Sequence, residues 1–125
     1  MASRRRIRRL VVGDTVYAWC FAHRHDRVRG YSGCRSTVSL WRPGSRARLR
    51  LVFRPTEERI IADCFFDRGA AVRMPDRACL NLYEPGAVRA LLDAHLARAR
   101  FPEAGEVAVD AWPLFDAVTP VPCST

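Results

Sequence analysis

The chain is 125 residues long, 49% hydrophobic and 10% aromatic, with 21 basic residues against 13 carboxylates and a formal net charge of +8. That length makes about one average domain, and the apolar content excludes wholesale disorder, a collagen-like repeat and a disulfide mini-protein. The apolar run at residues 15–22 is eight residues long, far short of the roughly 18 that a membrane-spanning helix needs.

All 21 basic residues are arginine, lysine and glutamine are absent, and Asn81 is the single asparagine. This is the usage bias of a very GC-rich, bacterial coding sequence, so arginine in place of lysine says little about bidentate anion recognition. The placement of charge says more. Residues 1–54 carry 14 Arg against Asp14 and Asp26, whereas residues 55–125 carry 7 Arg against 11 carboxylates. The arginine-rich start is followed only by Leu10-Val11-Val12 before Gly13-Asp14, too short for the apolar region of an export signal. The five cysteines, at 20, 34, 64, 79 and 123, have no CxxC spacing. An odd set of this kind fits reduced, buried thiols and a cytoplasmic setting.

In chain order, residues 6–12 predict a strand, Gly13-Asp14 a tight hairpin turn and residues 15–25 a second strand rich in β-formers. Residues 24–33, with Gly30 and Gly33, read as a polar loop or a distorted strand end. Residues 34–41 predict a third strand, Arg42-Pro43-Gly44-Ser45 a turn, and residues 46–53 a fourth. This fourth strand alternates Leu49, Leu51 and Phe53 with Arg46, Arg48 and Arg50. A turn at Pro55-Thr56-Glu57-Glu58 leads into a fifth strand, paired with the fourth so that Arg50 faces Asp63. Short strands follow near residues 70–73 and 78–82. Glu84-Pro85-Gly86 opens a helix over residues 85–100, with Val88, Leu91, Leu92, His95, Leu96 and Ala99 on one side. Residues 106–118 read as a last strand and a turn of helix begun at Pro113, with Trp112 and Phe115 as struts closing the core.

The expected fold is therefore α+β: a curved, antiparallel meander of six to seven strands, partly closed, packed against one long helix. The organisation expected is a basic segment at residues 1–9, one α+β domain at 10–118 and a flexible tail at 119–125.

Three features can carry chemistry. Tyr17, Trp19, Phe21, His23 and His25 share one face of the second strand; the three aromatics read either as core or as a stacking platform for bases, flanked by Arg8, Arg9, Arg24 and Arg27. His23 and His25 stand close enough to share a metal ion if a carboxylate such as Asp26, Asp63 or Asp67 completes the set. A zinc set of Cys20, His23, His25 and Cys34 needs a bulge, because Cys20 points to the opposite face in a regular strand. The third feature is cationic: Arg4, Arg5, Arg6, Arg8 and Arg9 at the start, with Arg46, Arg48 and Arg50 along the fourth strand, raise the local potential and favour polyanions. His95 reads as a histidine at the edge of the core.

These features favour a binding module without enzymatic activity, cofactor or metal, engaging an acidic protein or a nucleic acid through its arginine-rich front half. Membrane association is not expected, and self-association through a sheet edge is open. The competing expectation is a small enzyme or ligand-binding barrel, with Tyr17, Trp19 and Phe21 lining a pocket and His23, His25 and Asp63 as its polar groups.

Overall fold

A computed structural model describes residues 6–26, 28, 30–62 and 68–119. The elements run β1 (Arg8–Val12), β2 (Thr15–Asp26), β3 (Gly30–Trp41), β4 (Arg48–Phe53), β5 (Arg59–Ala62), β6 (Ala70–Arg73), β7 (Ala78–Asn81), α1 (Pro85–Leu96), β8 (Glu106–Asp110) and α2 (Trp112–Val118).

The strands form two open sheets, a five-stranded one ordered β1-β2-β3-β4-β8 and a three-stranded one ordered β5-β6-β7. The α+β class stands, whereas the single meander and the single long helix do not. The break falls after β4. Thr56 and Arg59 exchange backbone hydrogen bonds at 3.0 and 3.4 Å, a turn tight enough to send the chain away from β4 into the second sheet. The edge of β4 expected to carry the fifth strand is taken instead by β8, in parallel. Arg50 accordingly pairs with Glu106 of β8 at 2.9 Å. Asp63, its expected partner, lies outside the described residues.

Local chemistry explains the elements that match. Gly13, at φ 60°, supplies the first central position of a two-residue hairpin that sets Val12 opposite Thr15, the position where such turns need a positive φ. In β4 the expected alternation holds: Leu49, Leu51 and Phe53 are fully buried. Helix α1 starts at Pro85, whose fixed φ suits the first helical position. It stops at Leu96, four residues short of the expected end, with Ala97 as its C-cap. Beyond Leu96 the one remaining member of the apolar row, Ala99, is exposed, so burial no longer supports the helix, and Phe101-Pro102 disfavours helical backbone just ahead. The final segment forms a second helix, in which Trp112 and Phe115 are buried as expected.

One apolar core fills the space between the inner face of the main sheet, the two helices and the small sheet. Trp19, Phe53, Phe115, Leu40, Leu91 and Leu92 are among its largest fully buried members, the leucines and phenylalanines each contributing about 1.5–3 kcal/mol of burial free energy. A polar clasp ties α2 to the small sheet. Arg73 of β6 donates to Asp76 at 2.6 and 3.1 Å and to Asp116 of α2 at 2.9 Å, and Arg59 of β5 grips Asp116 at 2.6 and 2.9 Å. The hydrogen bond from Arg59, then that from Arg73, holds the Asp116 carboxyl below the usual carboxylate range, and Arg73 does the same for Asp76. Among the described residues, no helix is long and apolar enough to cross a membrane.

Candidate functional site

Pairing in the main sheet decides what each face carries, because side chains alternate with period two. Strand β2 pairs with β3 so that Trp19 faces Leu40, Phe21 faces Val38 and His23 faces Ser36; between them Cys20 faces Ser39, Ala22 faces Thr37 and Arg24 faces Arg35. The first series looks into the core and the second outward.

On the inner face Tyr17, Trp19 and Phe21 are 6%, 1% and 6% exposed. Phe101 packs on Tyr17 with ring centroids 5.1 Å apart, and Tyr83 packs edge-on to Phe21 at 4.6 Å. The stripe is core, and burial removes the ring faces that a stacked base would need. Further along the same face, one nitrogen each of His23 and His25 and the Sγ of Cys34 lie within 4.8 Å of one another. Cys34 Sγ stands 3.7 Å from His25 Nδ1 and donates towards the Gly30 carbonyl at 3.6 Å, while His23 Nδ1 is hydrogen-bonded to Ser36 Oγ at 2.8 Å. The bulge that the four-ligand zinc set required between Cys20 and His23 is not there; the register is unbroken from Ala18 to Arg24 and shifts only beyond, where Asp26 faces Gly30 and β3 carries three extra residues. The regular register keeps Cys20 on the opposite face, opposite Ser39, and of the two cysteines only Cys34 stands with the imidazoles.

On the outer face a shallow depression is floored by Ala22, Thr37 and Ser39 and rimmed by Arg24, Arg35 and Arg50. Arg24 and Arg35 are direct cross-strand partners, and among the described residues neither has a carboxylate partner. Like charges set directly opposite each other destabilise a sheet. Arg48 extends the charge, its guanidinium 4.3 Å above the Trp41 ring, and its Nη1 is buried without a hydrogen-bond partner among the described residues.

The arginines singled out from the sequence divide. Arg4 and Arg5 lie outside the described residues, and Arg6, Arg9 and Arg46 are exposed. Arg8 is turned homeward, donating to the Tyr83 carbonyl at 2.7 Å with its guanidinium 5.7 Å from the Trp19 ring centroid. Arg48 and Arg50 lie on the outer face as expected. Of the carboxylates suggested for the imidazoles, Asp63 and Asp67 lie outside the described residues. His95 is buried on the core side of α1, with Nε2 lacking a hydrogen-bond partner among the described residues.

Sequence reasoning passed over Arg35 and Ser36. The signal was the alternation of β3 itself: Arg35, Thr37 and Ser39 on one side, Cys34, Ser36 and Val38 on the other. Comparison with family models, with curated proteins and with solved structures finds no match to this chain.

Proposed function

We propose that the protein is a binding module without enzymatic activity that engages the phosphate backbone of a nucleic-acid duplex through the outer face of its main sheet. One observation carries this reading: Arg24 and Arg35 stand opposite each other, with no carboxylate partner among the described residues, beside Arg50 and around the hydroxyls of Thr37 and Ser39. An anion in the depression relieves the mutual repulsion and accepts hydrogen bonds from guanidinium and hydroxyl donors, the side chains that contact phosphate oxygens in protein–DNA interfaces. The small floor admits a phosphate close to the backbone. Trp41, the aromatic of this face among the described residues, sits beneath Arg48, which favours backbone contact over single-strand stacking.

The test is fluorescence anisotropy with a labelled duplex, a labelled single strand and an acidic peptide, at salt from about 50 to 200 mM. Three phosphate contacts give a slope of log affinity against log salt of about −2.7, an affinity loss of roughly 40-fold over that range. The variant Arg24→Ser/Arg35→Ser/Arg50→Ser is expected to lose most of that slope, while Arg100→Ser, beyond the end of α1, keeps it. An unchanged slope in the triple variant refutes the site. Binding of the acidic peptide but not the duplex moves the assignment to an acidic protein partner.

A further inference from the structure

We propose that His23, His25 and Cys34 form a binding site for a first-row divalent transition-metal ion, with zinc as the ion that best fits its donors. The site lies on the inner face of the sheet, opposite the arginine depression, and the inference is independent of the function proposed above.

Geometry is the first support. Two ligands of one tetrahedral zinc, at about 2.0–2.1 Å for nitrogen and about 2.3 Å for sulfur, stand about 3.5 Å apart. Cys34 Sγ and His25 Nδ1, at 3.7 Å, already have that spacing. The three ligand atoms all lie within 4.8 Å of one another, and closing the remaining gap of about 1 Å needs only small rotations about side-chain bonds. His25 is exposed and can make them.

The donor set is the second support. Two imidazoles and one thiolate suit zinc and its neighbours, whereas calcium and magnesium demand oxygen ligands. The third is the shell behind the ligands. Ser36, fully buried, fixes the His23 ring through Nδ1, the kind of outer support that orients metal-ligating imidazoles. Ligand spacing also follows from the fold. Residues i and i+2 of β2 bring the two imidazoles together, with ring centroids 4.6 Å apart, and Cys34, next to the last regular β3 partner Arg35 where the register breaks, reaches His25 at 3.7 Å. Three ligands leave the fourth tetrahedral position to another donor, such as water. Binding converts the Cys34 thiol to a metal-bound thiolate and releases one proton to the buffer, with no change of oxidation state.

The experiment titrates the purified, reduced full-length chain with Co²⁺ and follows absorption. The expected result is one equivalent bound per chain, with an intense near-ultraviolet thiolate-to-cobalt charge-transfer band and visible bands of a tetrahedral ion, all displaced by Zn²⁺. Cys34→Ala is expected to abolish the charge-transfer band and His25→Ala to weaken binding at least tenfold, while Cys20→Ala changes neither. Ser36→Ala is expected to weaken binding by about 10–100-fold. Because Cys34 is buried and its replacement can disturb folding, circular dichroism accompanies each variant, and the exposed His25 position decides if Cys34→Ala is unfolded. The proposal is overturned by cobalt spectra without a thiolate band, or by full binding in a folded Cys34→Ala or His25→Ala chain.

Discussion

Replacing Arg35 by threonine tests the physical basis of the anion face without any ligand. In the β2–β3 register Arg35 stands directly opposite Arg24. Opposed positions have Cβ atoms about 5 Å apart, and guanidinium charges brought as close as that repel by about 0.8 kcal/mol in water, the upper end of the repulsion between side chains free to splay apart. The figure lies within the roughly 0.2–1 kcal/mol scale of cross-strand pair terms. Threonine is a good strand former, so Arg35→Thr is expected to stabilise the chain at low salt by up to about 0.8 kcal/mol. An unfolding entropy of about 2.1 cal/mol/K per residue over the 125 residues makes this a rise in melting temperature of up to about 3 °C. The gap between variant and wild type should narrow as salt rises, because the repulsion is between partly exposed charges that mobile ions screen. Arg24→Thr should behave in the same way, whereas Arg100→Thr, which has no opposed arginine, should not. The assay is calorimetric melting at about 0.01 and 1 M salt, where the screening length falls from about 30 to about 3 Å. Lower stability of both variants at low salt, or a gap that salt does not move, refutes the reasoning. The same variants should bind a polyanion more weakly, so stability and affinity move in opposite directions.

Three further outcomes follow from the packing and ion pairs. Glu106→Gln removes the partner of Arg50 from a pair whose side chains are 36% and 59% exposed; stability should change by less than about 1 kcal/mol while polyanion affinity rises, as read by anisotropy. Phe115→Ala, at a fully buried position against Trp112, should cost about 3–5 kcal/mol in denaturant unfolding. Asp116 is held below the usual carboxylate range by Arg59 first and then Arg73, so the unfolded chain takes up the proton at a higher pH than the folded chain does. Its stabilising contribution is therefore complete above the ordinary carboxylate pKa of about 3.9 and is lost as pH falls through the folded value. Melting temperatures recorded from neutral pH into that acid range should fall less steeply for Asp116→Asn than for wild type.

Much of the architecture was legible where one face of an element is buried and the other is not. Strand β4 shows its alternation as Leu49, Leu51 and Phe53 against arginines, and α1 shows its apolar row from Val88 to His95. Strand partners were less legible. An antiparallel hairpin from β4 to β5 satisfies the same alternation as the parallel pairing of β4 with β8, and only the Thr56–Arg59 turn and the core provided by α2 choose between them. The Arg59–Asp116–Arg73 clasp was invisible for a related reason: its members are 57 and 43 positions apart in sequence, and no local period links them.

The two candidate sites were each half legible. The HxH pair announced the imidazoles, and the arginine pattern of β4 announced Arg48 and Arg50. Cys34 was named beside the imidazoles, though together with a Cys20 that the register keeps on the other face; the missing residues, Ser36 and Arg35, belong to β3, whose pairing with β2 is long-range and has no local period to mark it. Parity then separates the two chemistries. Arg24 lies between His23 and His25 in the chain, yet its charge faces outward with Arg35 while the imidazoles face inward with Cys34. A slip of one residue between β2 and β3 would set His23 and Phe21 against the guanidinium side and turn Arg24 inward opposite Cys34 or Ser36, a cost in desolvated charge and exposed aromatic surface far above that of the opposed arginines. The aromatic stripe that resembled a binding platform is thus what fixes the register, and by fixing it holds Arg24 and Arg35 together on the opposite surface.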